Sequence, residues 1–358
     1  MVSLREILGD LARVFVTFVT WLYCLPLALF VVLWVLVGDR MWPLSVIGSF
    51  LPYLFAPVLL QLGMGLLTKA WHALRFSLPL ALVALVAYGP LFIPHLPTAA
   101  AAESLRVVTL NVNQYNRDLS RVEDWLRQQH PDVAFLQEIP MGMLLPITYT
   151  LGEEYPYITT YQPQGQKFAS VLLSRFPLVT DFEMEASTPV YSLLRYAIRW
   201  NGQLVALYGV DTAPPLGAVR FDLPLMNNRI GHYVMGYDPT NRDTALHNLL
   251  KAIQNEPLPM IVLGDFGLSD QSSLYGQYAA VLDDSYREAG YGLGSTWPLA
   301  VTDDLMGTLP AIFPALVRVD YIWHSAHFKA AQAAVGPALG SDHLPVVAQL
   351  GWVIAPDS

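Results

Sequence analysis

The chain has 358 residues, 54% of them hydrophobic and only 14% charged, enough for a large core and a further apolar segment. Its net charge is −9; the residues before Ser104 sum to +1, so the remainder carries −10. A domain that acidic repels polyanions, which argues against non-specific nucleic-acid binding.

Three uncharged apolar runs come first, between Arg13 and Asp39, Arg40 and Lys69, and Arg75 and Glu103. Each exceeds the roughly 20 residues that a helix needs to span a bilayer. Pro26, Pro52, Pro57 and Pro79 interrupt them, which membrane helices tolerate. Cys24, the only cysteine, lies in the first run, so no intrachain disulfide forms. This reads as a three-helix transmembrane anchor over 1–96, followed by a Pro/Ala-rich linker over 97–104. Arg5, Arg13, Lys69 and Arg75 flank one side of the spans, against Arg40 on the other. The positive-inside bias then puts the N-terminus inside. The expected location is the cytoplasmic (inner) membrane, multi-pass, with a large extracytoplasmic domain over 105–358.

In that domain the pattern becomes short apolar strands separated by polar loops. Leu105–Val112 reads as a strand buried on both faces. Leu119, Val122 and Leu126 recur at helical spacing, with Ser120 and Glu123 as a capping box. Strands are expected over Asp132–Gln137, Ala169–Leu173, Tyr196–Trp200, Gln203–Val210, Met260–Leu263, Val317–Trp323 and Leu344–Leu350. Thr244–Ile253 reads as a helix. Many strands and few helices suggest an α+β or layered sandwich.

The polar residues at strand ends carry the chemistry. Asn111 and Glu138 close the first two strands. Asp265 follows Met260–Leu263, Asp320 lies inside an apolar strand, and Asp342 and His343 precede the last one. Taken singly, Asn111 and Asp265 also suit turns and Glu138 a loop surface, whereas a buried Asp320 is costly without a partner. Together, an amide, several carboxylates and a histidine suit a hard divalent cation and phosphate chemistry. A carboxylate can take a proton from water, and a histidine can stabilise a pentacoordinate phosphate.

The local sequences resemble the endonuclease/exonuclease/phosphatase superfamily, which includes pancreatic deoxyribonuclease, apurinic endonucleases, neutral sphingomyelinases and inositol polyphosphate phosphatases. The resemblance runs from about Leu105 to Val353. The first strand ends on Asn111, and Phe135-Leu-Gln-Glu138 resembles the Gln-Glu motif. Gly264-Asp265-Phe266 resembles Gly-Asp-x-Asn, Arg318-Val-Asp320-Tyr-Ile the strand of the histidine-orienting aspartate, and Ser341-Asp342-His343 the closing Ser-Asp-His. Ser174-Arg175-Phe176-Pro177 and Gly294-Ser-Thr-Trp297-Pro298 also look like bacterial membrane-anchored members. The resemblance implies an α/β fold, a four-layered deoxyribonuclease-like sandwich with its site at strand ends. It implies catalytic roles for Asp265, His343 and Asp320. It also implies metal ligation by Glu138, Asn111 and Asp342, and Mg²⁺ or Mn²⁺ as cofactor.

Two positions depart from that pattern. Gly267 stands where the superfamily has a phosphate-binding asparagine, and Asp211 where it usually has a phosphate-contacting histidine. Asn111 and Asp211 are thus the expected substrate-facing residues. His232 and His247 lie too far along the chain to replace that histidine. A carboxylate at a phosphate-facing position repels an anionic substrate. Loss of one transition-state donor costs ~10²–10³ in rate. Two readings therefore stand: a membrane-anchored, divalent-metal-dependent phosphoesterase, or a pseudoenzyme without metal serving as an accessory subunit of a membrane protein complex. The expected partners are the lipid bilayer, such a complex and a phosphate ester. An extracellular nuclease is disfavoured by the −10 balance and by only 20 Lys and Arg residues in the chain.

Overall fold

The structure, a computed structural model, describes residues 3–95, 103–183, 192–218, 234–299 and 314–353. Most of the linker expected over 97–104, and His232, lie outside those residues. The chain divides into two compact units, Met1–Ile93 with Gln271–Ser273, and Pro94–Asp270 with Leu274–Ser358.

In the first unit, helices α1 (Leu4–Val37), α2 (Trp42–Gly48), α3 (Leu51–Leu54), α4 (Ala56–Thr68) and α5 (Trp71–Tyr88) follow one another. Three stretches, Leu4–Val37, Leu51–Thr68 and Trp71–Phe92, are long and apolar enough to cross a membrane. The prolines act differently by position. Pro26 and Pro79 lie inside α1 and α5, whereas Pro52 and Pro57 occupy the first turns of α3 and α4. There the missing N–H costs nothing, and the expected second span starts anew at each. Cys24, Leu27, Val58 and Leu80 pack the interior. Large apolar side chains such as Leu36, Leu60, Leu67 and Val86 are exposed, as an apolar surround favours and water does not.

The second unit holds two six-stranded mixed sheets. One has the order β11–β12–β1–β2–β4–β3, formed by Phe328–Val335, Val346–Trp352, Ser104–Asn111, Val133–Pro140, Phe168–Ser174 and Tyr157–Tyr161. The other has the order β5–β6–β7–β8–β10–β9, formed by Leu178–Glu183, Leu193–Trp200, Gln203–Asp211, Met260–Asp265, Asp320–His324 and Asp283–Asp284. The pairs β1–β2 and β7–β8 are parallel, and the other strand pairs antiparallel.

Alternation along each strand builds the layers. Leu105, Val107, Phe135, Leu207 and Leu263 fill the space between the sheets. Val108 and Leu110 point the other way, onto helices α6 (Ser120–Gln129) and α7 (Met141–Leu151) through Val122, Leu126, Ile147 and Leu151. Ala206, Tyr208 and Val262 pack against helices α8 (Thr240–Gln254) and α9 (Ser273–Ala279) through Leu246, Leu249 and Tyr278. The result is a helix–sheet–sheet–helix sandwich, as the resemblance implies.

The expected capping box of α6 does not form. Ser120 already lies in the first turn, Leu119 is the cap residue without a side-chain bond, and Asp118 Oδ1 accepts from Ser120 N at 3.0 Å. Asp118 thus takes the N–H of Ser120 itself, while the Glu123 N–H that Ser120 was expected to take donates to Leu119 O at 2.9 Å.

Candidate active site

The site assembles where four strands end. Asp211, Asp265 and Asp320 stand side by side across β7, β8 and β10, since Asp211 pairs with Asp265 and Asp265 with Asp320 in register. Residues directly opposite on a sheet project to one face, so three carboxylates share it. Gly264 makes the close approach possible: with φ +144, a Cβ there would sit 1.8 Å from the carbonyl oxygen of Val210. No side chain fits before Asp265.

Asn111 crosses from the first sheet. Its Nδ2 donates to Glu138 Oε1 and to Asp265 Oδ2, both at 3.1 Å, and its Oδ1 accepts from Asn113 N at 2.9 Å. Glu138 sits at a bulge in β2, between the Leu136 and Ile139 pairings, with φ 54. A left-handed glutamate is costly, and the bulge turns its carboxylate out of the ladder toward Asn111 and Gln114 N, which donates to Oε2 at 3.2 Å.

The closing motif folds over this frame. Ser341 Oγ donates to Asn111 O at 2.6 Å and accepts from His343 N at 3.0 Å. Asp342 accepts from Asn113 Nδ2 at 2.7 Å and from Trp297 Nε1 at 3.3 Å. His343 Nδ1 lies 2.9 Å from Asp320 Oδ2, and its Nε2 lies 3.7 Å from Asp265 Oδ2. Thr296 Oγ1 accepts from the N–H groups of Val319 and Asp320, fixing the start of β10.

All six residues expected in catalysis and metal binding therefore meet in one place. Of the two departures, Gly267 lines the cleft and Asp211 lies beneath it. Asp211 is 1% exposed; Ser170 Oγ donates to its Oδ2 at 3.3 Å, and its Oδ1 is buried with no hydrogen-bond partner among the described residues. Gly267 has φ +57, and its N donates to Asp265 Oδ1 at 2.8 Å. A Cβ on it would stand 2.9 Å from Thr212 Oγ1. Neighbouring it, the buried Arg242 donates to the carbonyl of Gly267 and pairs with Asp243.

Sequence reasoning missed Asn113, Gln114 and Arg242. Asn113 carries the one visible signal, an amide two residues beyond the strand end with φ 68 that lets it hold Asp342. His247 bonds back to its own helix at Asp243 O, apart from the site.

The cleft has a volume of about 200 Å³ and is lined by Asn113, Gln114, Tyr115, Glu138, Thr212, Pro214, Pro215, Asp265, Gly267, Trp297, Asp342 and His343 among others. No Lys or Arg is among the described residues that line it. Burial pushes the Asp265 carboxyl up to about 7, against the pull of His343. Glu138 is raised by burial and then by Asp342, and Asp211 is well above the carboxylate range through burial, Glu138 and Asp265. Burial opposes protonation of His343, but Asp320, Asp265 and Asp342 outweigh it and hold the imidazole well above its ordinary value.

This is a cluster of oxygen donors held by neutral amides and short of positive charge, which fits a hard divalent cation. Glu138 and Asp342 offer carboxylate oxygens facing the cleft. Asp265, Asp320 and His343 offer a second set, with ligand atoms all within 4.8 Å of one another. The arrangement can bind a cation, take a proton at Asp265 and donate one from His343 Nε2.

Comparison with known proteins agrees with this fold. No curated protein matches the chain. Among solved structures, an endonuclease/exonuclease/phosphatase from Bacteroides vulgatus is 16% identical, with TM-score 0.50 over 70% of this chain and 100% of the other. Truncated Caenorhabditis elegans TDP2 is 17% identical, with TM-score 0.50 over 70% and 99%. A functionally unknown conserved protein from Enterococcus faecalis is 14% identical, with TM-score 0.50 over 70% and 100%. These likenesses show the shared fold. The sequence model of the Endonuclease/Exonuclease/phosphatase family matches residues 108–343, from the first strand to the histidine of the closing motif, and the chain belongs to that family.

Proposed function

We propose that this protein is a divalent-metal-dependent phosphoesterase, anchored in the cytoplasmic membrane by three helices with its catalytic domain on the outer side. The observation that carries the reading is the convergence of Asn111, Glu138, Asp265, Asp320, Asp342 and His343 on one cleft. Glu138 and Asp342, steadied by Asn111 and Asn113, would hold Mg²⁺ or Mn²⁺. Such a cation supplies positive charge to a phosphoryl oxygen. Asp265, titrating near neutrality, takes the proton of attacking water. His343, kept protonated by Asp320, donates from Nε2 to the phosphoryl oxygens as charge builds on them. The excess of Arg5, Arg13, Lys69 and Arg75 on one side of the spans supports the orientation.

A second reading, an accessory subunit of a membrane complex without turnover, is favoured by Asp211 and Gly267, neither of which can grip phosphate. Phosphate release from monoesters and diesters by the detergent-purified full chain, with Mg²⁺ and with a chelator, separates the two. Release that depends on the cation supports the phosphoesterase. No release from any ester, with stoichiometric co-purifying partners, supports the subunit.

A further inference from the structure

A second cavity, of about 400 Å³, adjoins the cleft and shares Gln114 and Tyr115 with it. Its charge is opposite. Among the described residues, the cleft presents Glu138, Asp265 and Asp342 and no Lys or Arg, and the second cavity presents Arg117 and Lys167 and no carboxylate. This occurs in a chain whose residues from Ser104 onward sum to −10, so a carboxylate-free cavity with two cations is not the local average.

The cavity is built on fixed backbone. Gln114 N is bound to Glu138 Oε2 at 3.2 Å, which ties the shared wall to the cleft's glutamate. Lys167 O accepts from Met141 N at 3.0 Å at the end of β2, and Gln166 N closes a turn on Pro163 O at 3.0 Å. Gln162 Nε2 donates to Gln166 O at 2.7 Å. Arg117 is exposed and its Nη1 donates to Gln114 O at 3.3 Å, and the exposed Lys167 ammonium has no partner among the described residues. Phosphate oxygens are met best by charge-assisted donors of this kind.

We propose that this cavity is a subsite for a second phosphate-type anion, carried by the substrate beyond its scissile ester. The inference rests on the phosphoesterase reading for the scissile end and adds the substrate class: esters bearing two phosphates. It also accounts for an anionic substrate entering a cleft whose described lining has no Lys or Arg. The grip absent at Asp211 and Gly267 is supplied from next door.

The test is binding, so it does not require turnover. Hexyl phosphate and hexane-1,6-diol bisphosphate are titrated calorimetrically into the detergent-purified full chain with Mg²⁺. Phosphatidylglycerol and its terminally phosphorylated form, in mixed micelles, make the matching lipid pair. The bisphosphate is expected to bind about tenfold more tightly than the monophosphate, and whichever pair shows the larger ratio identifies a soluble or a lipid source. Arg117→Gln with Lys167→Gln brings the ratio to near one, and Arg117→Glu with Lys167→Glu brings it below one. Both side chains are exposed, and a thermal unfolding scan checks that each variant folds. Equal affinities in the native protein, no binding of either probe, or a ratio that survives the double substitution overturns the subsite. Phosphate release measured in parallel reads the phosphoesterase itself: a retained ratio without release leaves the subsite standing and removes the catalysis.

Discussion

His343 holds Asp320 Oδ2 with Nδ1 at 2.9 Å and turns Nε2 toward Asp265 Oδ2 at 3.7 Å. One carboxylate thereby fixes the ring and its charge, while the other shares the reacting side. Asp320→Asn keeps the size and removes the charge. The variant is expected to lose ~10²–10⁴ of the rate, with the alkaline limb of the pH profile moved to lower pH. A profile identical to the native one would separate Asp320 from the histidine's function.

Asp211 is buried beside Glu138 and Asp265 with one oxygen unpartnered. Its folded pKa lies above its unfolded value, so its contribution favours the folded state at low pH and is lost as pH rises through the folded value. In chelator, Asp211→Asn is therefore expected to unfold at a higher temperature than the native chain near pH 8, with the gap narrowing as pH falls and closing toward the ordinary value of 3.8. Ser170 can still donate to the asparagine carbonyl. Equal unfolding temperatures across that range would show that the buried carboxylate costs nothing.

Gly267→Asn restores the residue that the superfamily carries, yet it is expected to destabilise by ~1 kcal/mol and to leave the rate no higher. The backbone is left-handed there, and the new Cβ meets Thr212 Oγ1 at 2.9 Å. Adding Thr212→Ala removes the contact and should recover most of the stability. Denaturation of the single and double variants in detergent measures both effects.

Far from the cleft, Glu256 accepts two hydrogen bonds from Arg195, at 2.7 and 3.0 Å, and one from Tyr208 at 2.6 Å. Burial opposes its ionisation, but these bonds outweigh burial and hold its carboxyl below the ordinary value of 4.5. Its stabilisation is present above that value and lost as pH falls through the folded one. Glu256→Gln should cost about 1–2 kcal/mol at neutral pH and flatten the acid limb of stability. An acid limb of unchanged slope would contradict this.

The sequence is most readable in the centre of each sheet and least at the edges. Strands β1, β2, β7 and β8 are buried on both faces over most of their length and appear as largely apolar runs. β3, β5, β9 and β11 are the sheet edges, paired on one side only. Their patterns are correspondingly weak: Tyr157–Tyr161 is half-exposed, and the alanines of Phe328–Val335 suit a helix as well as a strand. The site divides in the same way. Asn111, Glu138, Asp265, Asp320, Asp342 and His343 sit in recognisable local sequences. Gln114 and Arg242 carry no pattern, and Asn113 only an amide two residues past a strand end, because their roles arise from segments that meet only in three dimensions. The left-handed backbone of Glu138 is equally hidden, since it comes from a bulge set by pairing with β4.

The most direct measurement is the rate of phosphate release by the detergent-purified full chain with Mg²⁺, beside Glu138→Gln and His343→Ala. The expected result is a cation-dependent rate that falls by ~10²–10³ or more in each variant while both stay folded. A rate unchanged by both substitutions would place the chemistry elsewhere and contradict the assignment of this cleft.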